Sequence, residues 1–183
     1  MPISRRRLLQ AAPALASLSV PAAALSSFSA FWLGGCSGQT AAQLPDLPFT
    51  QLDGSAHRTT EFKGRVAIVN FWATSCTTCV KEMPQMVETH RRFGAQGLEF
   101  LAVAMSYDPP AYVAQFAQSR QLSFRVAIDH DGKLAQGFGD VQLTPTTFVV
   151  DRRGQIVKRY IGEPDFAALH ELLAQLLAQP AQG

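Results

Sequence analysis

Apolar positions along the chain follow two rhythms. Short unbroken runs of β-branched and aromatic residues between polar turns mark strands buried on both faces. Apolar residues spaced three and four apart mark helices with one buried stripe. Val66–Trp72 and Leu98–Met105 belong to the first kind, with Phe124–Ile128 a shorter example. Thr146–Val150 and Gln155–Tyr160 are further strands, flanking Asp151-Arg152-Arg153-Gly154, a hairpin signal. The second kind begins after Trp72 and runs to about Phe93, where Gly94 and Gly97 stop it. Pro84 lies inside this segment, where its missing amide donor predicts a kink. Asp108-Pro109-Pro110 opens another helix, from Ala111 to about Arg120, with Tyr112, Val113 and Phe116 on one stripe. Lys133–Phe138 allows one or two helical turns. Asp165–Gln179 is a leucine-rich amphipathic helix with Asp165 at the N-cap position and its leucines on the core side. Ahead of all these, Pro48–Ser55 predicts a short strand and turn at Asp53-Gly54. Strands alternating with helices, then a hairpin and a final helix, predict an α/β fold. Its mixed sheet is covered on both faces.

Composition narrows this further. The chain has 183 residues, enough for one ordinary domain and a tail. With 47% hydrophobic residues it can bury a real core, and three cysteines are too few for a disulfide-stapled miniprotein. The net charge of +2 is owed to Arg5, Arg6 and Arg7; the rest has 13 basic and 14 acidic residues. With no basic stripe among aromatics, nucleic acid is not an expected partner.

The first residues describe an address. A basic start, an Ala/Ser/Leu-rich middle and small residues predict an export signal over 1–35. Pro13, Pro21 and several serines weaken it as a permanent span. Ser4-Arg5-Arg6-Arg7-Leu8-Leu9 resembles a twin-arginine export motif, and Leu33-Gly34-Gly35-Cys36 resembles a lipobox. Lipidation of Cys36 would anchor the chain and account for the odd cysteine. Residues 36–43 then read as a tether, and the folded domain as 44–180.

The candidate chemistry lies in Cys76-Thr77-Thr78-Cys79, directly after a buried strand and at the opening of a helix. Unpaired amide N–H groups and the positive end of the helix dipole stabilise a thiolate there, and cysteine reacts as thiolate. A spacing of three puts both sulfurs on one face, within reach of a small disulfide ring. Cys76, nearest the helix start, is expected to be the exposed nucleophile and Cys79 the resolving thiol. A purely structural disulfide is a weaker account, because so short a loop constrains almost nothing. A zinc site is weaker too, because neither a second C-x-x-C nor an H-x₃₋₅-H exists. No metal or other cofactor is therefore expected.

Asn70-Phe71-Trp72-Ala73-Thr74, the cysteine pair, Glu82-Met83-Pro84 and the later Thr144-Pro145-Thr146-Thr147-Phe148-Val149-Val150-Asp151 resemble the TlpA/ResA-like family of thioredoxin-fold envelope thiol:disulfide oxidoreductases. The likeness spans about 44–180. It implies a thioredoxin fold with an N-terminal β-hairpin extension, and a cis Pro145 facing the cysteines. It also implies that Thr144 and Trp72 contribute to the substrate face and that Glu82 tunes thiol protonation; Glu82 alone reads equally as a solvated helix acid. The implied partners are oxidised client proteins, among them apocytochromes c, and a membrane electron donor. Relatives commonly carry Trp-Cys-x-Pro-Cys. Here Ser75 removes the aromatic and Thr78 the proline, which opens the direction of electron flow.

Other classes fit less well. A copper-binding module would use the soft thiolates with a histidine or methionine. A thiol peroxidase motif would need proline and threonine where Val69 and Ala73 stand. His57, His90, His130 and His170 sit among polar neighbours and read as turn or surface residues. Gly137-Phe138-Gly139 lacks the strand–helix setting of a phosphate loop.

Overall fold

In the computed structural model, which describes residues 42–180, the predicted runs become elements within a residue or two of their expected limits, except that the first long helix starts at Thr77 rather than directly after Trp72. In chain order they are β1 (Pro48–Thr50), β2 (Ala56–Arg58), β3 (Val66–Trp72), α1 (Thr77–Phe93), β4 (Leu98–Ala104) and α2 (Pro110–Ser119). Then follow β5 (Arg125–Ile128), α3 (Lys133–Gly137), β6 (Thr146–Val150), β7 (Ile156–Ile161) and α4 (Phe166–Leu177). Among the described residues, five strands form one sheet in the order β5-β4-β3-β6-β7. The β3–β4 and β4–β5 pairs are parallel; β3–β6 and β6–β7 are antiparallel. The predicted hairpin extension is the separate antiparallel pair β1–β2.

β3 sits in the middle and is buried at every position. Period-2 alternation still sorts its side chains between two cores. Val66, Ile68 and Trp72 face a cluster built from α1, α2 and α4, including Met83, Met86, Val113, Leu169 and Leu173. Ala67, Val69 and Phe71 face the other, with Leu134, Phe138, Phe148 and the hairpin's Phe49. Asn70 breaks the apolar run, and its number places it on the α1 face. Helices on one side and α3 with the hairpin on the other cover the sheet as predicted.

Several local expectations need correction. Tyr112 is 61% exposed while Val113 is fully buried, so the apolar stripe of α2 is narrower than its spacing suggests. His90 and His170 are half-buried. His90 meets the rings of Phe100 and Phe124 edge-on, and His170 packs on Phe93. Burial holds both imidazoles below the usual histidine pKa. Gly137 answers to packing: a Cβ there would stand 2.5 Å from Cδ1 of Leu47.

The export signal over 1–35, Cys36 and most of the 36–43 tether lie outside the described residues. The last two tether residues are part of the folded body. Gln43 bridges Gln155, Ile156 N–H donates to the Ala42 carbonyl at 2.7 Å, and Leu44 N–H donates to Gly154 at 2.7 Å. Among the described residues, no helix is long and apolar enough to cross a membrane.

Helix α4 closes the α1 face, and its start depends on Asp165. The Asp165 carboxylate accepts from the N–H groups of Ala167 (2.9 Å) and Ala168 (3.1 Å), satisfying two orphan donors. Asp165→Ala is expected to cost about 1 kcal/mol in denaturant-unfolding experiments, with the unfolding slope unchanged.

Candidate active site

The site forms where β3 ends. Trp72 is its last residue, and four residues later Cys76 takes the N-cap position of α1 with extended backbone dihedrals. Its sulfur occupies the place of a capping oxygen: Cys79 N–H points to Cys76 Sγ at 3.2 Å. One turn in, Val80 N–H donates to the Cys76 carbonyl at 3.0 Å. The Cys76 and Cys79 sulfurs are joined as a disulfide, with Cα atoms 5.2 Å apart. Exposure divides them. Cys79 is fully buried in the α1-side core, while Cys76 lies at its edge, half-buried.

One helical turn beyond Cys79, α1 carries a buried acid. Glu82, three residues beyond Cys79, is fully buried, so it is not the solvated helix acid its spacing also allows. Asn70 Nδ2 donates to Glu82 Oε1 at 3.1 Å and to Thr147 Oγ1 at 2.9 Å, tying β3 to α1 and β6. Glu82 Oε2 and Asn70 Oδ1 have no hydrogen-bond partner among the described residues. Burial therefore pushes the Glu82 carboxyl up to about 7, opposed in part by the Asn70 bond and assisted by the charge of Glu163. Nothing in the spacing of Glu82 foretold its burial. The available signal was Asn70, a lone amide in a strand that otherwise reads as core.

The later motif arrives alongside. The Thr144–Pro145 peptide bond is cis. The register Phe71↔Thr146 puts Pro145 beside the C-terminal end of β3, where the cysteine loop departs. Gly162 N–H donates to the Pro145 carbonyl at 2.8 Å, and Leu143 just before it is 62% exposed. Trp72 departs from expectation. Its side chain is fully buried, tilted against Phe116 at 5.0 Å between ring centroids, and offers no surface to a substrate. The last position of β3 points inward by the same alternation that buries Ile68. For a copper module, no group of three His, Cys, Asp or Glu side chains gathers at metal-binding separations among the described residues.

The raised carboxyl of Glu82 couples stability to pH with a definite sign. Below its ordinary value of 4.5 the group is protonated in folded and unfolded chains alike. From there to about 7 the folded protein keeps a proton that the unfolded chain releases, so stability falls as pH rises through that window. In Glu82→Gln this loss should vanish. Chemical denaturation of the oxidised proteins from pH 4 to pH 8 should show the variant gaining up to about 3 kcal/mol on the parent. Parallel stability curves would refute the assignment.

Known proteins share this layout. Residues 37–176 match the Redoxin family. The thiol-disulfide oxidoreductase ResA of Geobacillus thermodenitrificans is 36% identical over 118 residues, 64% of this chain and 67% of that one. Its namesake in Bacillus thuringiensis subsp. konkukian is 33% identical over 134 residues, 73% and 76% of the two chains. A solution structure of a candidate thioredoxin from Neisseria meningitidis, 34% identical, superposes with a TM-score of 0.70, covering 79% of this chain and 94% of the other. Sequence likeness on this scale, with the cysteine pair set at the mouth of α1, means that the chain belongs to the redoxin family, among its ResA-like thiol-disulfide oxidoreductases of thioredoxin fold.

Proposed function

We propose that the protein works outside the cytoplasm as a reductant of disulfides in envelope proteins, using Cys76 as nucleophile and Cys79 as resolving thiol. One observation carries the assignment of roles: Cys76 is the reachable sulfur at the helix cap, and Cys79 is buried behind it. In the reduced protein the Cys76 thiolate attacks one sulfur of a client disulfide. The client S–S bond breaks, a Cys76–client disulfide forms, and the client's second sulfur leaves as a thiolate and takes up a proton. Cys79 then gives its proton to a base and attacks Cys76 Sγ. The mixed disulfide breaks, the Cys76–Cys79 disulfide forms, and the client departs with two electrons more than it brought. Glu82, one turn along α1 from Cys79, is that base, with a carboxyl that changes state near neutrality. Thr144 and Pro145 lie at the rim of the same sheet end, where backbone groups align an extended client segment by strand addition.

The oxidised pair must be reset by a dithiol, and the resemblance supplies the class: a membrane electron-donor protein. The same resemblance suggests the paired haem-attachment cysteines of apocytochromes c as clients. Placement in the envelope rests on the export-signal pattern of 1–35, and anchoring on the lipobox at Cys36. The reductive direction rests on likeness to envelope reductases, while Ser75 and Thr78 depart from the common motif.

Two measurements test this reading. Cys79→Ser should accumulate client proteins disulfide-linked to Cys76, resolved by adding dithiol and absent in the Cys76→Ser, Cys79→Ser double variant. Failure to trap any client, or to exchange with a small dithiol, would remove the proposal. A redox titration should place the pair in the region of −270 mV; a value around −120 mV would reverse the direction and make the protein an oxidant.

A further inference from the structure

The loop that delivers Cys76 to its cap is held from outside by a residue of the next crossover. Asp108 lies between β4 and α2 and is 2% exposed. Both its oxygens accept from one residue: Thr74 N–H at 2.6 Å and Thr74 Oγ1–H at 2.5 Å. Thr74 stands two positions before Cys76. The rest of the loop is tied locally, by Cys76 N–H to the Ala73 carbonyl at 3.1 Å. Asp108 is itself braced on both sides. Met105 N–H donates to the Trp72 carbonyl at 3.0 Å, Asp108 N–H donates to the Met105 carbonyl at 2.9 Å, and Pro109 and Pro110 stiffen the chain that follows.

We propose that Asp108 is a positioning residue for the redox pair: by gripping Thr74 it holds the 73–76 loop so that Cys76 Sγ stays over the Cys79 amide at the helix mouth. The inference builds on the dithiol-exchange reading of the same site. The Cys79 N–H bond stabilises a thiolate on Cys76, and it needs the sulfur within a few tenths of an ångström of its place. With threonine rather than proline at position 78, the motif keeps more backbone freedom between the sulfurs, and the grip on Thr74 restrains the loop from its N-terminal side. Tyr107, 61% exposed, adjoins Asp108, so the loop that grips the cysteine segment also has a side chain at the protein surface.

Position and charge predict opposite signs. Removing a carboxylate near a thiolate lowers the thiol pKa through lost repulsion, whereas letting the sulfur drift from its amide raises it. Full-length Asp108→Ala should therefore show an upward displacement of the Cys76 pKa, read from the pH dependence of iodoacetamide alkylation of the reduced protein. Dithiothreitol exchange of the oxidised protein should slow about tenfold. Thr74→Val, which loses the hydroxyl bond and keeps the amide, should give a smaller change of the same sign, and Thr74→Ser should restore parental behaviour. A pKa that is unmoved or lowered in Asp108→Ala overturns the proposal. Should that variant fail to fold, parental rates and pKa in Thr74→Val overturn it instead. A parent protein that exchanges with no dithiol sinks the oxidoreductase reading, while the alkylation profile still decides the role of Asp108.

Discussion

The central strand has no solvent on either face and hydrogen-bonded neighbours on both edges, and this confinement governs what happens at its end. All seven residues of β3 pair with β4, and five of them, Ala67–Phe71, pair with β6 on the other edge. The chain turns after Trp72, and only residues 73–76 separate that strand from α1. A helix begun so abruptly needs a cap, and the residue at that position carries sulfur. Its reactivity thus follows from the termination of a buried strand. Thiol, amide donors and helix dipole meet because the backbone has nowhere else to go.

On the α1 face of the sheet the protein buries one acid and one amide, Glu82 and Asn70. Burial of Glu82 with one oxygen unpartnered costs stability whenever the group ionises. In the proposed exchange a carboxyl balanced near neutrality accepts the proton of the buried thiol and returns it, which a surface glutamate at its ordinary value would do poorly. Asn70 moderates the balance: its amide favours the charged form, while the surrounding side chains favour the neutral one. The stability lost to this arrangement is offset by the two apolar clusters on either side of the sheet.

Much of the framework was legible from residue patterns. Unbroken apolar runs became sheet strands, glycines ended α1, and Asp165 capped α4 because these are local relations between neighbours. The cysteine pair was legible for the same reason: spacing and flanking elements suffice to put it at a helix mouth. What escaped was set across elements. Trp72 reads as an aromatic beside a motif, but strand alternation and the ring of Phe116 turn it inward. Tyr112 shares helical spacing with Val113 and Phe116, yet it stays mostly exposed. Asp108 reads as a helix opener before two prolines, and its real partner, Thr74, is 34 positions away. Ala42 and Gln43 read as tether because strand pairing with Gln155 leaves no mark in composition.

That last pairing fixes a polarity. Ala42–Leu44 docks beside Gly154–Ile156, at the turn that follows β6, and the β6 register Val150↔Ala67 identifies this as the N-terminal end of β3. The sulfurs emerge at the other end, about 20 Å away along seven extended residues. The polypeptide therefore enters the folded body at its heel, at the opposite pole from the reactive tip.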